Sequence, residues 1–311
     1  MPRRWISLLS LAFPLFAHGQ STPAPAPSSI PTLPPEAYDA AKELWDNFAP
    51  DDVKQNYRFP SREEAQQAIA KIQAALDSGS LDDLAQYADQ ARQLAPVLQS
   101  IPGFSDYGDW LQSKLDELDA AKALRRAPAP LPPPHPSSFD VPFYREWVTR
   151  LRNRPAPAAA AELMPTLQAA FRAEGVPPQL AWLAEAESSL NSHAQSPAGA
   201  KGLFQLKSET ARQYGLSTFL PDERTDPEKS AQAAARDLRE LGHRFGSWPL
   251  ALAAYNAGPG RVARLLAAHH ADTFAAVAAS LPGETRMYVP KVCALVALRS
   301  GVSVDRLQPP R

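Results

Sequence analysis

The sequence predicts a mainly α-helical protein whose helical parts are separated by proline-rich linkers. Apolar residues recur at helical spacing, and the strong alternation of apolar and polar residues that is typical of strands is missing. Proline accounts for 33 of the 311 residues, which is about twice its usual share. Because helix interiors reject proline, much of it must lie in linkers.

The composition, with 44% hydrophobic and 21% charged residues, is typical of a soluble globular protein. A net charge of −1 offers no basic excess, so we expect no nucleic-acid partner. The single cysteine, Cys293, excludes an intrachain disulfide and a cysteine-based zinc cluster, and we expect it in the core of an apolar helix. The histidines show no HExxH-like spacing, so we expect no metal site.

Residues 1–19 have the layout of a secretory signal peptide. Arg3 and Arg4 form a short basic start, residues 5–17 are an apolar run, and small residues precede Gln20. The run is too short to span a bilayer comfortably, and no cysteine follows it, which excludes a bacterial lipid anchor. We therefore predict an exported, periplasmic protein that keeps no transmembrane segment after signal removal. A retained N-terminal anchor is the alternative.

Two proline-rich stretches divide the remaining chain, a tether at residues 20–35 and a linker at residues 127–137. Between them, residues 36–126 are expected to form a small helical region, whose third helix spans about 106–126. This region carries no constellation of chemical groups. We expect it to brace other parts of the protein, and a specific binding role stays open.

The helices of residues 138–306 are shorter and less regular. Gly175 is expected to end one helix, and Pro177-Pro178 to start the next. Asp226-Pro227 is expected to start a long alanine-rich helix that ends near Phe245. This part of the chain carries the candidate functional residues.

Glu187 falls on the apolar face of a helix predicted at 178–190. Leu180 and Leu183 mark that face, and Glu185 points roughly opposite. Burying a carboxylate is costly unless it is paired, hydrogen-bonded or protonated, and burial raises its pKa as a general acid near neutral pH requires. A buried glutamate that is held by an arginine or by a backbone cap fits the same spacing.

Two later motifs carry groups that suit a sugar ligand, because amides bond to hydroxyl and acetamido groups and aromatic faces pack on pyranose rings. They are the glycine-punctuated loop 196–205 ending in Gln205 and the helix end 254–260 with Tyr255 and Asn256. Taken singly, each of the two is better explained as a turn or a helix cap. A third motif, 284–289, begins the final helix with the carboxylate of Glu284, the cation of Arg286 and the phenol of Tyr288.

Together and in this order, the motifs resemble those of the soluble lytic transglycosylase family, the lysozyme-like catalytic domain of glycoside hydrolase family 23. Residues from Asp226 to Val262 look most like the branch of membrane-bound lytic transglycosylase D. The resemblance covers about residues 140–300 and does not reach 36–126. It departs from the family at Phe204, where Met is common, and at Lys207-Ser208, where Met-Pro often stands. It rests on Glu187-Ser188 with Asn191, Ser196-Pro197-Ala198-Gly199-Ala200, Gly202-Leu203-Phe204-Gln205, Ala254-Tyr255-Asn256-Ala257-Gly258 and Glu284-Thr285-Arg286-Met287-Tyr288.

The resemblance implies a lysozyme-like catalytic domain at 138–306 and a peptidoglycan lytic transglycosylase, a lyase that needs no metal or organic cofactor. Glycan strands would be the substrate, and a partner in the cell-wall machinery could bind through 36–126. A single catalytic residue, Glu187, would act as acid and then as base on the bond between N-acetylmuramic acid and N-acetylglucosamine, leaving a 1,6-anhydro end. The residues implied to bind or shape the sugar site are Ser188 (orienting Glu187), Gln205, Tyr255, Asn256, Glu284 and Tyr288.

Two other functions stay open at this point. If a second carboxylate lay across the cleft with a water between, the enzyme would hydrolyse the bond like a goose-type lysozyme. The candidates for that carboxylate are Glu284, Asp222, Glu223, Asp226 and Glu228. A non-catalytic scaffold that binds the cell wall is the other alternative.

Overall fold

The computed structural model of this chain describes residues 105–124 and 140–310 apart from Pro197, together with isolated positions between 38 and 92. The predicted signal peptide, tether and linker 127–137 lie outside the described residues, as do most positions of the first two helices predicted in 36–126. In the described part the secondary structure is helical and has no strand beyond isolated β-bridges, which confirms the mainly α class. No described helix is both long and apolar enough to cross a membrane.

Ten α-helices of the described part run in chain order. They are α1 (Ser105–Leu124), α2 (Tyr144–Leu151), α3 (Ala160–Ala173), α4 (Leu183–Ser188), α5 (Ser208–Gln213), α6 (Pro227–Phe245), α7 (Trp248–Ala257), α8 (Pro259–His269), α9 (Phe274–Ala278) and α10 (Gly283–Ser300). Short 3-10 helices occur at Pro178–Trp182, Glu223–Thr225 and Val304–Arg306.

The long helix α6 begins and ends where its sequence signals predict. The Asp226 carboxylate accepts a hydrogen bond of 2.9 Å from the backbone amide of Lys229, and Pro227 occupies the first turn. Gly246 ends the helix with a φ of 66°, a conformation that glycine adopts without strain. The helix predicted from Asp226-Pro227 to about Phe245 is therefore confirmed.

The single helix predicted at 178–190 is instead built from two pieces. A 3-10 helix, Pro178–Trp182, leads directly into α4, which has only six residues. Ser189 and Leu190 then adopt positive φ values of 53° and 64° and end the helix early. The result is a short segment, and every residue of α4 is buried.

The core is organised around α10. Every residue from Met287 to Val296 is buried, because α10 packs against α1, α2, α4 and α7. A second layer forms where α6 packs against α3 and α7. Cys293 is fully buried in α10, as its apolar surroundings predict.

Helix α1, which precedes the other described helices in the chain, also packs onto this core. Leu111, Leu115 and Leu118 are buried, and α1 contacts both α10 and α4. The side-chain amide of Asn191 also donates a hydrogen bond of 2.6 Å to Asp109 of α1. The third helix predicted in 36–126 is confirmed at Ser105–Leu124, and it borders the helix that carries Glu187.

Candidate active site

Glu187 is buried on α4, as its place on the apolar face predicts. Its residue surface is only 5% exposed. The hydroxyl of Tyr288 on α10 donates a hydrogen bond of 2.6 Å to Oε1 of Glu187. The carboxyl group is therefore held in one place, away from bulk water, by a side chain 101 residues further along the chain.

The surroundings of Glu187 favour its protonated form near neutral pH. Burial is the largest cause and raises the pKa of Glu187 to about 7. The positive charge of Lys114 and the Tyr288 hydrogen bond oppose this shift, whereas the charges of Glu284 and Glu117 add to it. A carboxyl group with a pKa close to 7 can both give and take a proton at neutral pH, which suits a general acid that becomes a base.

Tyr288 and Glu284 lie four residues apart on α10 and therefore share one face of that helix. Tyr288 is fully buried, and burial together with the neighbouring charge of Glu187 raises the pKa of its hydroxyl well above the ordinary value. Tyr288 thus keeps its proton and remains a hydrogen-bond donor to Glu187.

Glu284 joins a second group of polar contacts at the start of α10. Its Oε1 atom accepts a hydrogen bond of 2.6 Å from Nζ of Lys114 and one of 3.4 Å from the side-chain amide of Asn256. The hydroxyl of Thr285 donates a hydrogen bond of 2.6 Å to the amide oxygen of Asn256. These bonds fix the amide orientation of Asn256 at the end of α7, because its nitrogen faces a carboxylate and its oxygen faces a hydroxyl donor.

Tyr255 and Ser188 connect their helices to the glycine-punctuated loop. The Tyr255 hydroxyl donates a hydrogen bond of 2.8 Å to the backbone carbonyl of Phe204. The Ser188 hydroxyl lies 2.9 Å from the carbonyl of Leu203 and 3.1 Å from that of Ala184. Ser188 therefore ties α4 to the loop through backbone groups, and its role in orienting Glu187 stays a prediction.

Gln205 ends the loop in a left-handed conformation, with a φ of 46°. Its side-chain amide nitrogen donates hydrogen bonds of 3.0 Å to two backbone carbonyls, those of Ala194 and Gly202. Two carbonyl partners fix which end of the amide is the nitrogen. The Oε1 atom is left buried with no partner, which is rare for a polar atom in a folded protein.

The loop itself is held by Arg224, whose guanidinium donates to the carbonyls of Gly199 at 2.8 Å and Leu206 at 3.1 Å. Asp222 pairs with the same guanidinium at 2.7 Å. A Cβ atom at Gly202 would lie 1.9 Å from the Arg224 carbonyl oxygen, and φ there is 81°. Only glycine fits this close approach.

The carboxylates proposed as a second catalytic group in 222–228 are engaged elsewhere. Asp222 pairs with Arg224, Glu223 contacts Lys229 at 2.6 Å and Asp226 caps α6. Glu228 accepts from Gln232 at 3.3 Å. Glu284 is the member of that set whose charge acts on Glu187.

Glu185 was expected to point away from the buried face, and that expectation is wrong. Glu185 is only 6% exposed and forms a two-pronged ion pair with Arg299, at 2.6 and 2.8 Å. The reason is that α4 is short and enclosed on all sides, so it has no solvent face. The arginine-held glutamate that the spacing allowed at Glu187 is therefore found at Glu185.

Two charged residues of the site, Lys114 and Glu117 on α1, were not predicted from the sequence. Lys114 is buried and pairs with Glu284. Its spacing from Leu111 and Leu118 places it on the apolar face of α1, the same signal that singles out Glu187. A cation on that face was therefore detectable.

A separate cavity of about 200 Å³ is lined by Asp116, Arg154, Glu185 and Lys291 among others, and it includes none of the predicted site residues. Its charged side chains pair with groups of the protein itself. Within the described residues, no group of three or more His, Cys, Asp and Glu side chains is arranged to hold a metal ion.

Comparison with known proteins places residues 165–276 in the transglycosylase SLT domain. Membrane-bound lytic murein transglycosylase D of Escherichia coli strain K12 is 40% identical over 124 residues, which are 39% of this chain and 27% of that protein. The soluble lytic murein transglycosylase of Salmonella typhimurium strain LT2 is 37% identical over 120 residues, 36% of this chain and 19% of that protein. The chain thus matches about a quarter or less of the length of these curated relatives.

The solved lytic transglycosylase Slt of Pseudomonas aeruginosa aligns with 88% of this chain and 50% of its own length, at 19% identity and a TM-score of 0.41. The residues of the domain match include Glu187, Ser188, Gln205, Tyr255 and Asn256. Residues 165–276 of this chain therefore match the transglycosylase SLT domain, and the relatives that resemble this part of the chain are lytic murein transglycosylases.

Proposed function

We propose that this protein is a peptidoglycan lytic transglycosylase that cleaves the β-1,4 bond between N-acetylmuramic acid and N-acetylglucosamine without water. The observation that carries the proposal is the buried Glu187, whose pKa of about 7 and hydrogen bond from Tyr288 suit a single group that donates and then accepts a proton. The family and the names of its relatives, lytic murein transglycosylases, support the same activity.

In the first step Glu187 donates its proton to the glycosidic oxygen. The bond between that oxygen and C1 of the muramic acid breaks, and its electron pair stays on the departing N-acetylglucosamine. Positive charge develops at C1, as in other glycosidases. The acetamido group of the muramic acid would stabilise that charge, since Glu284 is paired with Lys114 and the carboxylates of Asp222, Glu223 and Asp226 are held by other partners.

In the second step Glu187, now ionised, accepts the proton of the 6-hydroxyl group of the same muramic acid. The hydroxyl oxygen then bonds to C1 and closes the 1,6-anhydro ring. Glu187 ends in its starting protonation state, and no water is consumed. The hydrogen bond from Tyr288 is stronger to the carboxylate than to the neutral acid, so it stabilises Glu187 between the two steps.

The polar groups around Glu187 would position the sugar. Gln205 offers its unpaired amide oxygen, and Asn256 is held with a defined amide orientation by Glu284 and Thr285. Tyr255 is partly exposed, so its ring would contact a pyranose face. These assignments rest on the family motifs and on the contacts described above.

Product analysis tests this function. Purified cell walls are digested with the wild type, Glu187→Gln and Glu185→Gln, and the muropeptides are analysed by mass spectrometry. The wild type should give 1,6-anhydro ends and Glu187→Gln none. Glu185→Gln is the matched control, because it alters an equally buried carboxylate on the same helix that is paired with Arg299; it should retain the anhydro products at temperatures where it stays folded.

Other outcomes would contradict the proposal in different ways. Reducing ends in place of anhydro ends would establish hydrolysis. Equal digestion by the wild type and Glu187→Gln would exclude Glu187 as the acid, and digestion by neither would favour a wall-binding scaffold.

We further propose that the chain is exported to the periplasm and that residues 1–19 are its signal peptide. The basic start, the short apolar run and the small residues before Gln20 support this. Fractionation with N-terminal sequencing should find a periplasmic protein that begins at Gln20. A full-length chain in the membrane fraction would instead establish a retained anchor.

A further inference from the structure

Helix α1 brings a buried cation to the candidate active site from outside the matched domain. The side chain of Lys114 is 7% exposed, and its Nζ lies 2.6 Å from Oε1 of Glu284. The SLT domain match begins only at residue 165, so the family match does not include this helix.

The charge on Lys114 is maintained by its surroundings. Burial alone would lower the pKa of Lys114, but the carboxylates of Glu284, Glu117 and Glu187 outweigh it and raise the pKa above the ordinary value. Three carboxylates thus act on one ammonium group. Lys114 stays protonated throughout the pH range in which Glu187 would work.

The docking of α1 does not depend on Lys114 alone. Lys291 of α10 donates a hydrogen bond of 2.9 Å to Glu117 and one of 3.1 Å to the backbone carbonyl of Ser113. Asn191 bonds to Asp109, and apolar side chains of α1 are buried. These contacts hold the helix in place independently of the Lys114–Glu284 pair.

Several charged and titratable groups act on Glu187 from the elements packed around it. Among these described groups, Lys114 is the cation. The groups are Lys114 and Glu117 of α1, Tyr255 of α7, and Glu284 and Tyr288 of α10.

We propose that Lys114 is a positioning residue of the active site, which holds Glu284 beside Asn256 and supplies the positive charge that stabilises Glu187 after it has given up its proton. The inference rests on the proposed transglycosylase function and extends the site to a helix that precedes the matched domain. Its consequence is that α1 takes part in catalysis and does more than brace the fold.

The pH profile of kcat/KM distinguishes this role from a purely structural one. The free enzyme needs Glu187 protonated, so activity should fall as the pH rises through the pKa of Glu187, about 7. Lys114→Met removes the cation and leaves Glu284 without its ion-pair partner, and both changes disfavour ionised Glu187. The alkaline limb should therefore move to higher pH by about one unit, and kcat should fall by up to about tenfold, the factor that corresponds to one pKa unit.

Two control variants and a second test variant complete the experiment. Lys114→Arg keeps the charge and should leave the alkaline limb near its wild-type position. Lys114→Gln keeps a hydrogen-bond donor for Glu284 without the charge, so it should shift the limb even if Lys114→Met does not fold. Lys291→Met breaks another buried ion pair between α10 and α1, the one with Glu117, and should lower the free energy of unfolding without moving the limb upward.

A carbon-13 NMR titration of Glu187, assigned by the signal that Glu187→Gln removes, gives a readout that does not need activity. A pKa of Glu187 that is the same in the wild type and in folded Lys114→Gln would overturn the inference. A wild type that makes no anhydro product would overturn the proposed function instead, and the titration would still decide whether Lys114 acts on Glu187.

Discussion

Tyr288 of α10 donates a 2.6 Å hydrogen bond to the carboxylate oxygen of Glu187 on α4, and both side chains are buried. The bond joins α4 to α10 within the candidate catalytic domain. It opposes part of the effect of burial on Glu187, because it favours the ionised form.

Tyr288→Phe should lower kcat by about 10- to 100-fold, since a hydrogen bond to a charged group contributes about 1.5–3 kcal/mol. Loss of the donor also raises the pKa of Glu187 further above 7, so the alkaline limb of kcat/KM should move to higher pH. Muropeptide release measured from pH 5 to 9 checks both effects. An unchanged limb in a folded variant would mean that the bond does not act on the catalytic proton.

Those parts of the site that depend on helix spacing within one segment could be predicted from the sequence. Glu187 was identified because helix spacing placed a carboxylate among leucines, and the structure confirms that it is buried. Its partner Tyr288 could be named only from the family motif, since no rule of spacing connects residues 101 positions apart. The contact arises from the packing of α10 against α4.

Glu185 and Lys114 show where the same signal was insufficient. A regular helix over 178–190 would have one solvent side, but the segment changes from a 3-10 helix to a short α-helix that is enclosed throughout. Lys114 lies on the apolar face of α1, but a partner for it in Glu284, 170 residues away, cannot be inferred from spacing. Tertiary packing decides both cases.

Glu187→Gln should make the protein more resistant to unfolding at high pH than the wild type. The pKa of Glu187 is raised on folding, from an unfolded value near 4.5 to about 7. Its contribution to stability is therefore complete below the unfolded pKa and is lost as the pH rises through 7. The glutamine variant has no such loss, because it is neutral at every pH.

The free energies of unfolding of the wild type and Glu187→Gln at two pH values test the direction of this effect. The free energy of unfolding of Glu187→Gln minus that of the wild type should grow by up to about 3 kcal/mol between pH 5 and pH 8. Urea unfolding at both pH values measures it. A difference that stays constant with pH would mean that Glu187 ionises in the folded protein as readily as in the unfolded one.

Gly202→Ala should disturb the loop that carries Gln205. Its Cβ would overlap the carbonyl oxygen of Arg224, which lies 1.9 Å from that position. We expect a loss of about 2–4 kcal/mol in stability from strain and displaced backbone. The activity should fall by about 100-fold, because a shift of about 1 Å in a positioned group has effects of that size.

Gly199→Ala is the matched control for this loop. Gly199 also has a positive φ, 78°, but nothing lies within 4 Å of its Cβ position. It should lose about 1 kcal/mol from backbone strain alone and keep most of its activity. Equal losses in the two variants would show that backbone conformation, rather than the close approach to Arg224, makes glycine necessary at 202.

Arg299→Met should destabilise the fold strongly but leave the chemistry intact. Arg299 is the ion-pair partner of buried Glu185 and also donates to the backbone carbonyls of Arg154 and Pro155. Its removal leaves a buried carboxylate without a partner, which costs about 3–5 kcal/mol. Replacing both partners, in Glu185→Leu with Arg299→Met, should recover at least half of that loss in urea unfolding, because no unpaired charge is then buried.

The activity of these variants separates the two glutamates of α4. At a temperature where each variant is folded, Arg299→Met and the double variant should still release anhydro muropeptides at rates within about threefold of the wild type, since neither change touches Glu187 or Tyr288. A loss of activity as deep as that of Glu187→Gln in the folded double variant would mean that Glu185 also acts on the substrate.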